Sequence, residues 1–158
     1  MNVNEKIKAR RQELRLTDVE VAKQVGLSIH EYSDIEMQVK EIYLYPALSK
    51  VKKICEVLKV DFLELFDLKC TFCEESNECL ADYSLPRNEL IRKRRKELGI
   101  TQEELGDRVG FYEVEVQNLE SKPNHLETWV IENINELATA INVPPQVLMN
   151  VKCKKCGK

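Results

Sequence analysis

Apolar residues recur every three or four positions through most of the chain, which is the spacing of the inward face of an α-helix. The clearest run predicts a helix over about 47–59, whose inner face would be Leu48, Val51, Ile54, Cys55 and Leu58. Glycine and proline number only five each, which favours helices over an all-β fold with its many tight turns. The pattern therefore predicts an all-α protein.

Short polar residues before the apolar runs, and glycine after them, indicate where the helices begin and end. Thr17, with Glu20 three residues later, forms a capping box that begins a helix, and Gly26 ends it. Thr101 and Glu104 repeat this box in the second half, where Gly110 corresponds to Gly26. Five helices are predicted in the first half: about 4–15, one begun by Thr17, one begun by Ser28, about 47–59, and one opened by Asp61.

The second half of the chain repeats the first. At a shift of 84 residues Arg11 aligns with Arg95 and Glu36 with Glu120, and after one net deletion the shift becomes 83. A register held over ~65 residues is hard to obtain by chance, so we infer an internal duplication. The predicted organisation is a first domain at 1–69, a connector at 70–86, a second domain at 87–150 and a C-terminal tail at 151–158.

Charge is spread unevenly along the chain. The formal net charge is −3, from 24 Lys and Arg against 27 Asp and Glu. The connector holds four acidic side chains and no Lys or Arg, whereas each repeat is close to neutral. The totals exclude a strongly basic protein that coats nucleic acid, so any DNA binding must depend on local charge.

Neither a membrane span nor an export signal is predicted. The sequence has no run of ~18 apolar residues, and its N-terminus has no apolar signal-peptide core. We therefore expect a cytoplasmic protein with no membrane partner. In that reducing compartment, cysteines more often stay free, bind metal or perform redox chemistry than form structural disulfides.

A longer motif begins in the first predicted helix of the second repeat. It runs Arg-Lys-Glu-Leu-Gly-Ile-Thr-Gln-Glu-Glu-Leu over 95–105, followed by Val109-Gly110 and Leu119-Glu120. This pattern resembles the lambda-repressor-like (XRE/Cro-type) helix-turn-helix family. Residues 11–36 resemble it too, with Arg15 where Gly is usual and Asp18 where Gln is usual. The resemblance implies two five-helix domains in tandem, with ion pairs of Arg11 with Glu36 and of Arg95 with Glu120 inside them.

The same resemblance implies a DNA-binding transcriptional regulator. Its third helix would enter the major groove of double-stranded DNA, and its second helix would lie against a phosphate strand. The chain would act as a monomeric pseudo-dimer or a homodimer on half-sites ~34 Å apart. The candidate DNA-binding residues are Thr17, His30 and Ser33 in the first repeat, and Gln102, Tyr112, Glu113, Gln117, Asn118 and Lys122 in the second.

Acidic residues on the predicted reading helices weigh against ordinary DNA binding. They are Glu31 and Asp34 in the first repeat and Glu113 and Glu115 in the second, and carboxylates facing phosphates are repelled. The alternative is a protein-interaction adaptor or a mimic of DNA charge, which would bind a basic protein partner.

Each repeat is followed by a C-x-x-C motif. Two such pairs can complete the tetrahedral thiolate site that zinc prefers, so Cys70, Cys73, Cys153 and Cys156 are the predicted ligands of a structural zinc that clamps the two repeats together. A redox-responsive disulfide, a site between two chains and unligated thiols remain alternatives.

The other residues with metal-ligand or catalytic chemistry receive simpler interpretations. Cys79 is either a replacement ligand or free, Cys55 is expected in the core, and His30 and His125 are interpreted as ordinary histidines. No phosphate-binding glycine loop or nucleophile motif is present, so an enzyme is not expected.

Overall fold

The computed structural model describes residues 1–74 and 82–158, without the side chains of Glu74 and Asp82. The described residues form α-helices, two short 3-10 helices and no strand, which confirms the predicted all-α class. The chain divides into two compact units, Met1–Lys69 and Cys70–Lys158. Among the described residues, no helix has the length and apolar character needed to cross a membrane.

The first unit contains the predicted helices and one more. Its helices are α1 (Val3–Glu13), α2 (Asp18–Val25), α3 (Ile29–Met37), α4 (Glu41–Leu44), α5 (Leu48–Leu58) and α6 (Phe62–Leu65). The addition is α4, a single turn that buries only Ile42, too short to produce a helical period in the sequence. The core of this unit includes Ile7, Val21, Ile35, Leu48, Ile54 and Leu58.

The second unit repeats this order, with a 3-10 helix at His125–Thr128 in the place of α4. It contains α7 (Thr71–Glu74), α8 (Arg87–Glu97), α9 (Gln102–Val109), α10 (Glu113–Ser121), α11 (Ile131–Ala140) and α12 (Pro145–Met149), besides a 3-10 helix at Asp82–Ser84. Its core includes Leu90, Ile91, Leu105, Leu119, Ile134 and Leu137. Pro145 occupies the first turn of α12, where proline is tolerated because that backbone N–H has no helical partner.

The caps that begin α2 in the first unit and α9 in the second form as predicted. Thr17 accepts a hydrogen bond from the backbone N–H of Glu20, and Thr101 does the same for Glu104. Both helices end at a glycine in the left-handed region, with φ of 76° at Gly26 and 73° at Gly110. Such a residue closes the last helical turn and redirects the chain at little steric cost.

A buried ion pair joins α1 to α3 in the first unit and α8 to α10 in the second, as the family resemblance implies. In the first unit the Arg11 guanidinium donates to both oxygens of Glu36, at 2.6 and 2.8 Å. In the second unit Arg95 makes the same two-point contact with Glu120. Each arginine also donates to a backbone carbonyl that follows its helix. These arginines are therefore structural residues.

Candidate metal centre and candidate reading helices

Four cysteine side chains come together within the second unit. The Sγ atoms of Cys70, Cys73, Cys153 and Cys156 all lie within 4.8 Å of one another. Cys70 precedes α7 and Cys73 lies within it, whereas Cys153 and Cys156 belong to the turn that follows α12. Cys70 and Cys153 are buried, and Cys73 and Cys156 are at the surface.

The separations between the sulfurs suit a shared four-coordinate ion. The Sγ atoms of Cys70 and Cys156 are 3.7 Å apart, and those of Cys73 and Cys153 are 3.9 Å apart. A tetrahedron with metal–sulfur bonds of about 2.3 Å places its sulfurs about 3.8 Å apart, whereas a disulfide bond is only about 2.05 Å long. The cluster is therefore compatible with a metal site and too wide for disulfides.

Backbone hydrogen bonds shape the two turns that present the thiols. The N–H of Cys73 donates to the carbonyl of Cys70 at 3.1 Å, and the N–H of Gly157 donates to the carbonyl of Cys153 at 2.8 Å. The N–H of Lys155 donates to the Cys153 sulfur at 3.3 Å. Gly157 has a φ of 73°, which a residue without Cβ adopts readily. Each C-x-x-C thus points two sulfurs toward one place.

Gln146, a buried residue of α12, contacts both sides of this cluster. Its Nε2 donates to the Cys70 sulfur at 3.6 Å and to the Val151 carbonyl at 3.2 Å. Its Oε1 accepts from the backbone N–H of Thr71 at 2.8 Å. Only 4% of Gln146 is exposed, so the site has a polar support from the last helix.

Interactions within the cluster give its thiols different pKa values. Burial opposes ionisation of Cys70, but hydrogen bonds from Gln146 and Cys153 outweigh it and lower the pKa of that thiol to about 7. Hydrogen bonds with Cys156 and Cys70 raise the pKa of Cys73 to about 12. Four adjacent thiolates need a cation to balance their charge, because like charges raise one another's pKa.

Cys55 is not a member of this cluster. Cys55 is 7% exposed in the core of the first unit, and burial raises the pKa of its thiol to about 12, as expected of an inert core residue. Cys79 lies outside the described residues. The cluster itself belongs to the second unit, since Cys70 and Cys73 are part of Cys70–Lys158. The cluster thus combines the C-x-x-C that follows each repeat, and all four cysteines lie within one compact unit.

The candidate DNA-binding residues of the second unit fall into two groups. Tyr112, with 85% of its surface exposed, and Glu113, Gln117 and Lys122 are open to solvent, and Asn118 is half-buried. Gln102 is engaged within the unit instead, because its Nε2 donates to the Glu120 carboxylate at 2.9 Å. Its side chain therefore supports the buried ion pair.

Glu115 differs from its predicted outward orientation. Its Oε1 lies 2.7 Å from the indole nitrogen of Trp129, which donates to it, and 2.7 Å from Nε2 of His125. Burial raises the pKa of Glu115, but the hydrogen bonds from Trp129 and His125 outweigh that effect and lower it. The carboxylate is thus half-buried and hydrogen-bonded within the unit.

The candidate DNA-binding residues of the first unit are less clearly placed for contact with DNA bases. Thr17 is the N-cap of α2, His30 is exposed, and Ser33 is half-buried with its hydroxyl 3.7 Å from the sulfur of Met37. Asp34 is exposed, and Glu31 accepts from the N–H of Ser28 at 2.7 Å, which closes the cap of α3.

A cavity of about 580 Å³ lies beside α3 in the first unit. Three carboxylates, from Glu31, Asp34 and Glu41, line it together with the exposed ring of Tyr45. Lys50, which also lines it, donates to the carbonyls of Val25 and Gly26, at 3.1 Å each. The candidate reading helix of this unit therefore borders an acidic cavity.

Sequence reasoning missed Gln146 and Trp129. A signal was present in both cases, because each position differs between the repeats: Leu63 aligns with Gln146, and Tyr45 aligns with Trp129. A buried amide in place of leucine needs hydrogen-bond partners, and these are the Thr71 N–H, the Cys70 sulfur and the Val151 carbonyl.

Comparisons with known proteins provide no relative for this chain. No family model, no curated protein and no solved structure matches it. The functional assignment therefore depends on the residues and geometry of the chain itself and on the comparison of its two repeats.

Proposed function

We propose that the protein is a DNA-binding transcriptional regulator built from two lambda-repressor-like helix-turn-helix units, of which the second reads DNA. In both units two helices, the first of them capped by a threonine, are joined through a left-handed glycine, Gly26 or Gly110. That connection is the short glycine-containing turn of helix-turn-helix motifs. The second helix of each pair, α3 or α10, would be the reading helix.

The observation that carries this proposal is the outer surface of α10. Gln117 is exposed on it and Tyr112 is exposed at its start, and glutamine is a side chain that reads base edges through paired hydrogen bonds. Because Glu115 is turned inward to Trp129, Glu113 is the one exposed acid of α10. Of the two acidic residues of this unit that weigh against DNA binding, only one is therefore exposed.

A transcriptional regulator of either kind, repressor or activator, must bind specific DNA sequences. Selection of genomic DNA fragments by the protein tests this directly. Genomic fragments that the metal-loaded protein retains would be used in gel shifts over a series of salt concentrations. We expect retardation that weakens steeply with salt, because phosphate contacts release counterions. No retardation of any fragment even at low salt would remove the proposal.

A matched pair of double variants tests which unit reads. Gln117→Ala with Asn118→Ala should weaken binding to the selected fragment by about 10- to 100-fold, since each base contact contributes about 1–3 kcal/mol. Ser33→Ala with Asp34→Ala, the aligned pair in the first unit, should change it little. Equal losses from both pairs would contradict a single reading unit.

We further propose that the four-cysteine cluster holds one structural zinc ion. All-sulfur, four-coordinate sites are typical of structural zinc, in which no position is left open for a substrate. The ion would balance the charge of the thiolates and fix the C-terminal turn to the segment around α7. Metal analysis of the purified protein should find one zinc per chain, and less than about half an equivalent would contradict the proposal.

The acidic cavity of the first unit favours a second candidate function, a protein-interaction adaptor. The cavity is flanked by Tyr45, which is 69% exposed, and α3 also exposes Met37, at 72%. A partner would be a basic segment with apolar side chains. Saturable binding of a lysine- and leucine-rich peptide, lost in Asp34→Asn with Glu41→Gln and combined with no DNA retardation, would favour this function over DNA reading.

A further inference from the structure

We propose that Gln146 is the positioning residue of the metal centre, and that it latches the Cys70 arm onto the last helix of the second unit. This inference rests on the proposed zinc site. The arm comprises Cys70 to Cys73, which follow the first unit along the chain but are part of the second. A residue that joins this arm to α12 therefore decides how firmly two of the four ligands are held.

The side-chain amide of Gln146 uses its groups in three directions. One hydrogen bond reaches the Cys70 sulfur, at 3.6 Å, and one reaches the carbonyl of Val151, at 3.2 Å, two residues before Cys153. The amide oxygen accepts from the N–H of Thr71, at 2.8 Å. One residue thus fixes the backbone beside a ligand from each C-x-x-C pair, besides donating to a ligand sulfur.

The repeat supplies an internal control for this role. Leu63 occupies the aligned position of the first unit and is 5% exposed, close to the 4% of Gln146. An apolar side chain therefore satisfies the fold at this place, and burying an amide without partners would cost free energy. The amide occurs in the unit that contains the four-cysteine cluster. We therefore relate it to the metal centre and not to the packing of the helices.

Outer residues that orient a metal ligand typically contribute 10- to 100-fold in metal affinity. In this site the N–H donated to the Cys70 sulfur would orient that ligand, and the bond to Thr71 would keep the arm closed. Loss of both should let the arm open more often. The ion would then escape faster, although all four cysteines remain.

Zinc release to a chromophoric chelator from the full-length protein tests the proposal. Gln146→Leu copies the aligned Leu63, and we expect it to keep the helical circular dichroism but to lose zinc about 10- to 100-fold faster. Gln146→Glu has the same shape and can still accept from Thr71, but it places a carboxylate against the sulfur, so it should also release zinc faster. Leu63→Met in the first unit is the control and should match the parent protein.

Cobalt substitution separates a positioning role from a general loss of stability. The sulfur-to-cobalt charge-transfer bands should retain the intensity of four thiolate ligands in Gln146→Leu but shift in energy, because the donor to the Cys70 sulfur is gone. Unchanged release and an unchanged spectrum in both Gln146 variants would overturn this inference alone. A parent protein that takes up neither zinc nor cobalt would overturn the proposed zinc site as well. If Gln146→Leu does not fold, the rate of zinc release from Gln146→Glu tests the inference instead.

Discussion

The two units place different side chains at one matched position and thereby acquire different surfaces. In the second unit Trp129 is 5% exposed and stacks on Phe111, with ring centroids 4.4 Å apart. The aligned Tyr45 of the first unit is 69% exposed and borders the cavity of about 580 Å³, and Leu27 replaces the phenyl ring. The same space is filled in one unit and open in the other.

The matched carboxylates of α3 and α10 accept from different donors, which is the electrostatic side of this difference. Ser28 begins α3, and Glu31 turns back to accept from its backbone N–H. Tyr112 begins α10 and its side chain makes no capping hydrogen bond. Glu115 accepts from the indole N–H of Trp129 instead and turns toward it. The lesson is that duplicated helices of equal charge can present different charge outward, depending on the partner that each carboxylate finds.

The buried ion pairs give the largest expected difference between the units. Glu120 accepts from Gln102 as well as from Arg95, whereas Asp18, which aligns with Gln102, has no N–H in its side chain to donate to Glu36. Glu120→Gln should cost about 3–5 kcal/mol of unfolding free energy, because it leaves a buried arginine without its charge partner. Glu36→Gln should cost less. Hydrogen exchange read by mass spectrometry measures each unit separately, and a larger loss in the first unit would reverse the comparison.

The Glu120 pair also predicts a pH dependence. Burial raises the pKa of Glu120, but the hydrogen bonds from Arg95 and Gln102 outweigh it, so the folded pKa lies below the ordinary value. The stabilisation is then complete above the ordinary glutamate pKa and is lost as the pH falls through the lowered folded value. The protection of α8 and α10 from exchange, measured relative to the intrinsic exchange rate at each pH, should fall over that acidic range, and Glu120→Gln should remove this response.

The filled position of the second unit is the next test. Trp129→Phe removes the N–H donated to the Glu115 carboxylate and part of the stack on Phe111. It should cost about 2–3 kcal/mol, the range for a hydrogen bond to a charged group together with lost packing. The aligned Tyr45→Phe should change stability by less than about 0.5 kcal/mol, since that ring is exposed. Thermal unfolding measures both losses of stability. Equal losses would show that the two aligned aromatic residues do not differ in their packing.

A glycine inside α9 reveals a smaller packing difference. A Cβ on Gly106 would lie 2.5 Å from the carbonyl oxygen of Phe111, whereas the first unit has Ala22 at the aligned position. Gly106→Ala should therefore destabilise the second unit by about 1–3 kcal/mol through crowding, although alanine is the better helix former. If urea unfolding shows that Gly106→Ala is more stable than the parent protein, the backbone at Phe111 can move away from the added Cβ at little cost.

The smallest expected effect concerns the residue after the first helix. Arg15 has a φ of 55°, and its counterpart Gly99 has a φ of 69° with open space where a Cβ would lie. Because a left-handed conformation is costly for residues with a Cβ, Arg15→Gly should stabilise the first unit by about 0.5–1 kcal/mol. Gly99→Arg should destabilise the second by a similar amount. Urea midpoints measure both, and signs opposite to these would show that contacts of Arg15 outweigh its backbone strain.

Much of the helical framework was predictable because its signals are local. The capping boxes at Thr17 and Thr101 and the glycines that end α2 and α9 are confirmed, as are the Arg–Glu pairs that the family resemblance implies. The short α4 was not predicted, since four residues cannot establish a period. The proximity of the four cysteines is confirmed, whereas the DNA-binding residues and the family membership stay predictions.

The sequence by itself determined the helices, their caps and the identity of the four clustered thiols, because these depend on residue spacing and on chemistry within a few positions. Tertiary structure decided which unit includes the Cys70 arm, which way Glu115 turns, and which groups Gln146 contacts. Each of these depends on contacts between residues distant along the chain, such as Cys70 with Cys156 and Gln146 with Thr71. Repeat symmetry placed the cysteines at equivalent positions, but packing assigned all four of them to one unit.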